Sequence, residues 1–354
     1  LRALAAAVGR AGGGLVTVSP HPGAADISDA YQQLMIDMSK ASRGAVLWNA
    51  FQHRWDQPER WRDLLEYMQR AEDEGARVFS VAKCQRLDLE FDLVDTRLFV
   101  WFPSWHEAIA LPKAEKRARF ADPSARARMH AEFSDAAQGP SQMVARERLV
   151  VVLESTSHPE WIGRNMLDIA RESGRNVTDA ILDLALEDDL ETRFVYQGLM
   201  NGDMNAVSAI LAGPHCLPGV SDAGAHLDMD CGVDFTARLL GYWVREQKLL
   251  SLEEAVRRLT SMSFDVLGVA DRGRLAPGAA ADVVIFSPDA IGAGPREWRQ
   301  DVPGGGRRIV QRAVGIEQVL VNGEVLIEGG EHTGVLPGEV IERSVGGPRG
   351  SAAR

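Results

Sequence analysis

The chain has 354 residues, 45% of them hydrophobic and 25% charged. This is the balance of an ordinary globular protein, long enough for one large domain and a smaller one. Its formal net charge of −11 argues against nucleic acid or an anionic membrane as a partner, and no apolar run is long enough to span a bilayer. Three cysteines, Cys84, Cys216 and Cys231, are too few and odd in number for a disulfide framework, and they point to a reducing cytoplasm.

In chain order, Leu1 to Val8 reads as a helix ending at Gly12-Gly13-Gly14. It lacks a basic segment followed by an apolar core, so it is not a signal peptide; with no initiator Met it reads as the middle of a larger protein. Leu15 to Ser19 is a β-branched run after glycines, a buried strand. Asp26 to Lys40 reads as a helix and Gly44 to Asn49 as a second strand. Pro58 suits the first turn of a strong helix, in which Trp61, Leu64, Leu65, Met68 and Ala71 share one face. Gly75 ends it, and Ala76 to Ala82 is the next strand. Strand, helix, strand at this pitch predicts βαβ units and a parallel sheet.

Residues 85–148 break that pattern. They hold Trp101, Trp105, several Phe and an arginine-rich helical stretch around 111–133. They read as an insertion, either a lid or substrate wall or a peripheral helical excursion. Leu149 to Leu153 is again a strand, and helices follow near 161–173 and 178–190, the second with Thr178 as its cap. A helix near 203–212 leads to Val220-Ser221-Asp222-Ala223-Gly224-Ala225-His226. Apolar residues here run into a carboxylate and then into small residues, as where a buried strand opens into a tight loop. An aspartate there binds a metal, takes a proton from a metal-bound water, or caps the next helix. A helix over 234–248 comes next. Ser251-Leu252-Glu253-Glu254 is then a capping box for another. From Gly268 the composition changes: a strand over Ala281 to Phe286, a Gly/Pro-rich linker around Pro303 to Gly306, and a hairpin turning at Asn322-Gly323.

The Ser221 to Asp230 stretch and the 268–338 tail together resemble the amidohydrolase superfamily, specifically the N-acyl-D-amino-acid deacylase (D-aminoacylase-like) branch. The markers are Gly273-Arg274-Leu275 with Pro277-Gly278 and Ala281-Asp282, then Val321-Asn322-Gly323, then Gly330-Glu331-His332-Thr333-Gly334 with Leu336-Pro337-Gly338. The resemblance implies an α/β fold: a partial TIM-like β/α barrel over 1–266 with an insertion at about 85–148, a small C-terminal β-sandwich over 267–344, and a disordered tail over 345–354. It implies one or two divalent metal ions, usually zinc, and hydrolysis of a C–N amide bond in an N-acyl (D-)amino acid by a metal-activated water. Asp222 matches the family aspartate that ligates metal and shuttles the proton.

The chain departs from the family in its histidines. The His-x-His pair of the first family strand does not occur; that strand would lie upstream of Leu1, so that this piece alone would be inactive. Where internal strands should bring histidines, Trp48-Asn49 and Lys83-Cys84 stand instead. His53 either replaces a metal histidine or sits in an exposed loop. His226 and Asn49 are candidates to contact substrate. Lys83 is a carboxylated bridging ligand, an anion-binding cation or a solvated lysine, and Cys84 a ligand or a buried structural thiol. The expected partner is a small-molecule substrate, with a homo-oligomer left open. The alternatives are a cyclic-amide hydrolase or deaminase on the same fold, and a metal-free scaffold.

Overall fold

The computed structural model describes residues 1–19, 27–135, 146–221 and 225–341. Asp222 and the tail expected to be disordered both lie outside the described residues.

The chain begins with α1 (Arg2–Arg10), β1 (Val16–Val18), α2 (Asp29–Ser42), β2 (Ala45–Phe51), α3 (Arg60–Asp73) and β3 (Arg77–Lys83). Ser28 starts α2 by accepting a hydrogen bond from the Tyr31 N–H. Helix α3 buries Leu64, Tyr67, Met68 and Ala71, the expected face, but it starts at Arg60, so Pro58 precedes it rather than lying in its first turn. The chain then leaves the β/α rhythm through β4 (Leu87–Phe91), α4 (Pro103–Ile109), α5 (Lys113–Ala121), α6 (Pro123–Ser134), β5 (Val150–Glu154), α7 (Met166–Glu172), α8 (Val177–Glu187) and β6 (Arg193–Met200). Asn176, not Thr178, caps α8, accepting from the Asp179 N–H. Thr178 is the second helical residue and is buried.

The rhythm returns with α9 (Met204–Ala212), capped by Asp203, and β7 (Cys216–Gly219). After the loop that follows β7 come α10 (Phe235–Arg238), a π-helical segment over Leu239–Glu246, α11 (Leu252–Leu259) and α12 (Ser261–Leu267). Ser251 caps α11 by accepting from the Glu254 N–H. Five strands complete the described chain: β8 (Val283–Phe286), β9 (Gly292–Val302), β10 (Gly306–Val314), β11 (Ile316–Val321) and β12 (Glu324–Glu328), with a two-residue β13 (Glu331–His332) behind them.

The strands sort into separate sheets. Strands β1–β2–β3–β7 form a parallel sheet in that order. Among the described residues this sheet does not close into a barrel. Strands β4–β6–β5 form a second, antiparallel sheet. Its core gathers Phe91, Phe99, Phe102, Trp105, Phe120, Phe133, Phe194 and Tyr196 from the sheet, from the segment after β4 and from α4 to α6. Trp105 stacks on Phe99 at 4.5 Å and donates its indole N–H to the Met129 carbonyl at 3.0 Å. Each such ring contributes roughly 1.5–3 kcal/mol through burial, enough to give this lobe a core of its own.

Near the C-terminus, β13–β12–β11–β8 form an antiparallel sheet. Its β11–β12 turn is Asn322-Gly323 with both residues at positive φ, 48° and 84°, the type I′ geometry that a two-residue hairpin prefers. The Pro303 to Gly306 stretch is not a linker. It is the turn of a long hairpin, β9 paired antiparallel with β10.

Candidate active site

Parallel sheets carry their chemistry at the C-terminal ends of the strands, where loops leave a rigid support. Three adjacent strands, β2, β3 and β7, end on one side here, at Phe51, Lys83 and Gly219. His53 follows β2, Lys83 to Gln85 close β3, and the loop from Val220 follows β7. Val220 has a φ of 61°. For a β-branched residue this left-handed backbone costs on the order of 1–3 kcal/mol, so the packing around the β7 end must hold it there.

Lys83 is not a solvated lysine. Its side chain is fully buried and its ammonium pairs with the carboxylate of Asp230, 1% exposed, on the loop after β7. A buried charge persists only with such a partner. His53 is not in an exposed loop either: it is 5% exposed. Its backbone N–H donates to the Asn201 side-chain oxygen at 2.8 Å, and its carbonyl accepts from the Asn201 N–H at 2.9 Å. Burial pushes the His53 imidazole below its ordinary value, against the upward pull of Asp203 and Glu59, so the ring is neutral at pH 7. Asn201 also donates its amide to the carbonyl oxygens of Gln85, at 3.1 Å, and Lys83, at 3.4 Å. It therefore ties together the ends of β2 and β3.

Cys84 is a buried thiol, pushed up to about 12 by burial and by the nearby Asp234 carboxylate. It is therefore a poor source of metal-binding thiolate. Its carbonyl accepts from the Trp243 indole N–H at 2.8 Å, which docks the π-helical segment against the site. Gly241 lies in the same segment. A Cβ there would sit 2.5 Å from the Ile291 carbonyl oxygen, so a glycine lets that segment approach the start of β9.

Two candidates are not brought into the cluster. Asn49 is exposed, and its carbonyl accepts from the Ser19 hydroxyl at 3.2 Å. His226 is exposed at a φ of 55°, and its carbonyl accepts from the N–H groups of Met229 and Asp230 at 2.8 Å. It turns the loop that presents Asp230. Sequence reasoning passed over Asp230, Asn201 and Gln85. The loop itself was marked in the sequence by the apolar-to-carboxylate pattern of Val220 to His226 and by the family resemblance of Ser221 to Asp230.

Several buried polar atoms in the cluster lack a hydrogen-bond partner among the described residues: His53 Nδ1, Gln85 Oε1, Asp230 Oδ1 and Asp234 Oδ1. Native interiors rarely leave such atoms unpaired outside functional sites. They do not amount to a metal site by themselves. Among the described residues, no three His, Cys, Asp or Glu side chains are grouped so as to hold an ion, and Asp230 already faces the Lys83 ammonium. The described residues thus do not complete a metal site by themselves, in keeping with the expectation that the principal ligands lie outside this stretch of chain.

Comparison with known proteins places this arrangement. The amidohydrolase family matches residues 174–327. The N-acyl-D-glutamate deacylase of Alcaligenes xylosoxydans xylosoxydans is 38% identical over 172 residues, covering 48% of this chain and 31% of that protein. An uncharacterised protein of Mycobacterium bovis is 30% identical over 270 residues, covering 72% of this chain and 44% of that protein. The crystal structure of a D-aminoacylase superposes with a TM-score of 0.51 at 18% identity, over 90% of this chain and 54% of that one. The chain thus spans less than half the length of these two sequence relatives, and no helix among the described residues is long and apolar enough to cross a membrane. With its matched region running from the end of α7 through the β7 loop to β12, the chain is similar to the amidohydrolase family and, among its members, to the D-aminoacylase-like deacylases.

Proposed function

We propose that the protein to which this chain belongs hydrolyses the C–N bond of a small amide, and that its substrate is an N-acyl amino acid of the D series. The observation that carries this is the convergence of a neutral imidazole, a buried ammonium and the carboxylate-bearing β7 loop at the ends of three adjacent parallel strands. The substrate class rests on the deacylase relatives.

Amide hydrolysis needs an activated water, polarisation of the carbonyl and a proton for the leaving amine. In this reading Asp222 takes the proton from the attacking water and returns it to the amine. Lys83, held by Asp230, provides fixed positive charge beside the reacting carbonyl or the substrate carboxylate. His53 is uncharged and ready to accept a hydrogen bond or donate one. His226 and Asn49, both exposed, would contact the outer part of the substrate. A divalent metal, zinc, belongs to this reading as the cofactor of the complete protein, with Asp222 among its ligands. The described residues do not hold it alone, so the remaining donors would come from elsewhere in that protein. The arrangement into a partial β/α barrel over 1–266 and a β-sandwich over 267–344 is part of the same proposal.

The test is metal analysis of the full-length protein together with release of free amine from a panel of N-acyl-D- and N-acyl-L-amino acids. Asp222→Ala is expected to lower kcat by about 100-fold or more, the usual effect of losing a positioned proton carrier. Full activity in that variant overturns the role of Asp222. Wild-type protein that binds no divalent metal and releases no amine overturns the hydrolase reading in favour of a non-catalytic scaffold.

A further inference from the structure

The loop after β7 is not free on its outer side. Leu227 accepts a backbone hydrogen bond through its carbonyl from the Ile309 N–H of β10, at 2.8 Å. Two residues on, the Met229 carbonyl accepts from the Glu90 N–H of β4, also at 2.8 Å. The loop is therefore held between the β9–β10 hairpin and the edge of the β4–β6–β5 sheet. A chain of charges runs through the same seam. Lys83 pairs with one oxygen of Asp230, and Arg296, on β9, lies 3.6 Å from the other, which has no hydrogen bond among the described residues. Arg296 also reaches Glu90 at 3.4 Å and the Cys231 carbonyl at 3.5 Å. Glu90, 6% exposed, is held in turn by Arg193 and by the Trp298 indole N–H at 3.2 Å. The guanidinium groups of Arg193 and Arg307 lie over the Trp298 ring, at 4.7 and 5.0 Å from its centroid.

We propose that Arg296 is a positioning residue for the site: delivered by the β9–β10 hairpin and braced by Glu90, it holds the Asp230 carboxylate on the Lys83 ammonium and so fixes the Leu227 to Asp230 part of the loop after β7. Asp230 joins two cations that come from opposite sides, Lys83 from the parallel sheet and Arg296 from the hairpin. Neither could move without leaving a buried carboxylate half-compensated. The effect on turnover rests on the hydrolase reading above, whereas the effect on Lys83 does not.

The experiment uses the full-length protein and its Arg296→Ala, Arg296→Lys and Arg299→Ala variants. Arg299 sits on the same hairpin, exposed and paired with Glu297 at 3.0 Å, and controls for loss of a surface cation. Lys83 reactivity is read by reductive methylation with formaldehyde and a borane, followed by peptide mass spectrometry. Amide hydrolysis is read as kcat and KM. Arg296→Ala is expected to raise the methylation rate of Lys83 by about tenfold or more, the effect of losing a charge-assisted contact, and to lower kcat with little change in KM. Arg296→Lys recovers most of both, and Arg299→Ala matches wild type. Unchanged Lys83 methylation in Arg296→Ala overturns the positioning role. Raised methylation with unchanged kcat in an active wild type overturns its importance for turnover. A wild type without amidase activity, with Lys83 still exposed by Arg296→Ala, counts against the hydrolase reading and not against this one.

Discussion

The Lys83–Asp230 pair makes a stability prediction with a defined size. Both side chains are sealed, at 0% and 1% exposure. Replacing Asp230 by Ala removes one buried carboxylate from the ammonium, which keeps its other contacts. Removing one partner of a buried pair costs about 3–5 kcal/mol, roughly a thousandfold in the folding equilibrium. Lys83→Met leaves the Asp230 carboxylate instead, but Arg296 lies 3.6 Å from it, so that loss should fall at or below the lower end of the range. The double variant Lys83→Met with Asp230→Leu removes both charges and refills the space, and should recover most of the stability, because a buried pair contributes little net over apolar packing. The exposed Arg299–Glu297 pair, at 42% and 53%, is the internal reference, with an expected coupling below about 1 kcal/mol. Urea unfolding of wild type and these three variants gives each free energy from the midpoint and slope. A loss under about 1 kcal/mol for Asp230→Ala would show that the ammonium reaches water or another carboxylate, and the reasoning from burial would fail.

Three further outcomes follow from the same geometry. Asn201→Ala removes the acceptor of the His53 N–H and the donor to the Gln85 and Lys83 carbonyls. It should cost about 2–3 kcal/mol in chemical unfolding, the sum of one or two buried groups left unpaired, and hydrogen exchange at the His53 amide should rise. Cys84 and Cys216 are buried thiols pushed up to about 12 by burial, which keeps them protonated at pH 8. Neither should react with an aromatic disulfide reagent until the protein unfolds, and rapid labelling of the native chain would contradict their placement. His158 bonds Glu160 at 2.9 Å and Glu187 at 3.0 Å while stacking on Trp161. The Glu160 contact, with help from Glu187, raises the imidazole above its ordinary 6.5. A raised histidine stabilises fully below the unfolded value and loses that contribution as pH climbs through the folded one. The melting temperature of His158→Gln should therefore trail wild type below pH 6.5 and converge with it as pH rises; an equal gap at every pH would remove the charge from the explanation.

Much of the fold could be read where local chemistry decides it. The β1 to β3 alternation, the apolar face of α3, the Ser251 cap and the Asn322-Gly323 turn all express short-range rules, and each lies within a few residues of its expected place. The misreadings share a cause. Glycine and proline around Pro303 to Gly306 suit a linker and a hairpin turn equally. What distinguishes them is the pairing of β9 with β10 across that turn, and the register, Arg308 against Arg299 and Ile309 against Trp298, carries no periodic apolar signal because both faces bear charges. Thr178 and Asn176 are both good caps by composition; packing decided between them by burying the threonine. How far the expected partial barrel extends is a matter of strand number, and the described residues contribute four strands to the parallel sheet.

The site was legible as a location but not as a set of partners. Asp222, Lys83 and His53 can be picked out because strand ends in α/β sheets collect chemistry. The environments of Lys83 and His53 depend on contacts 100 or more residues apart in sequence, which no local pattern encodes. Lys83 looks like a surface lysine until Asp230, 147 residues later, is placed against it. His53 looks like a loop histidine until Asn201, 148 residues later, takes its backbone N–H. The same distance argument bears on function. The β7 loop is fixed from inside by the parallel sheet and from outside by β4 and β10, elements from three regions of the chain. A substitution in the hairpin therefore reaches the Leu227 to Asp230 part of the loop through one backbone hydrogen bond and one arginine. A substitution on the exposed β8 surface, where Val284 is 52% exposed, has no comparable route.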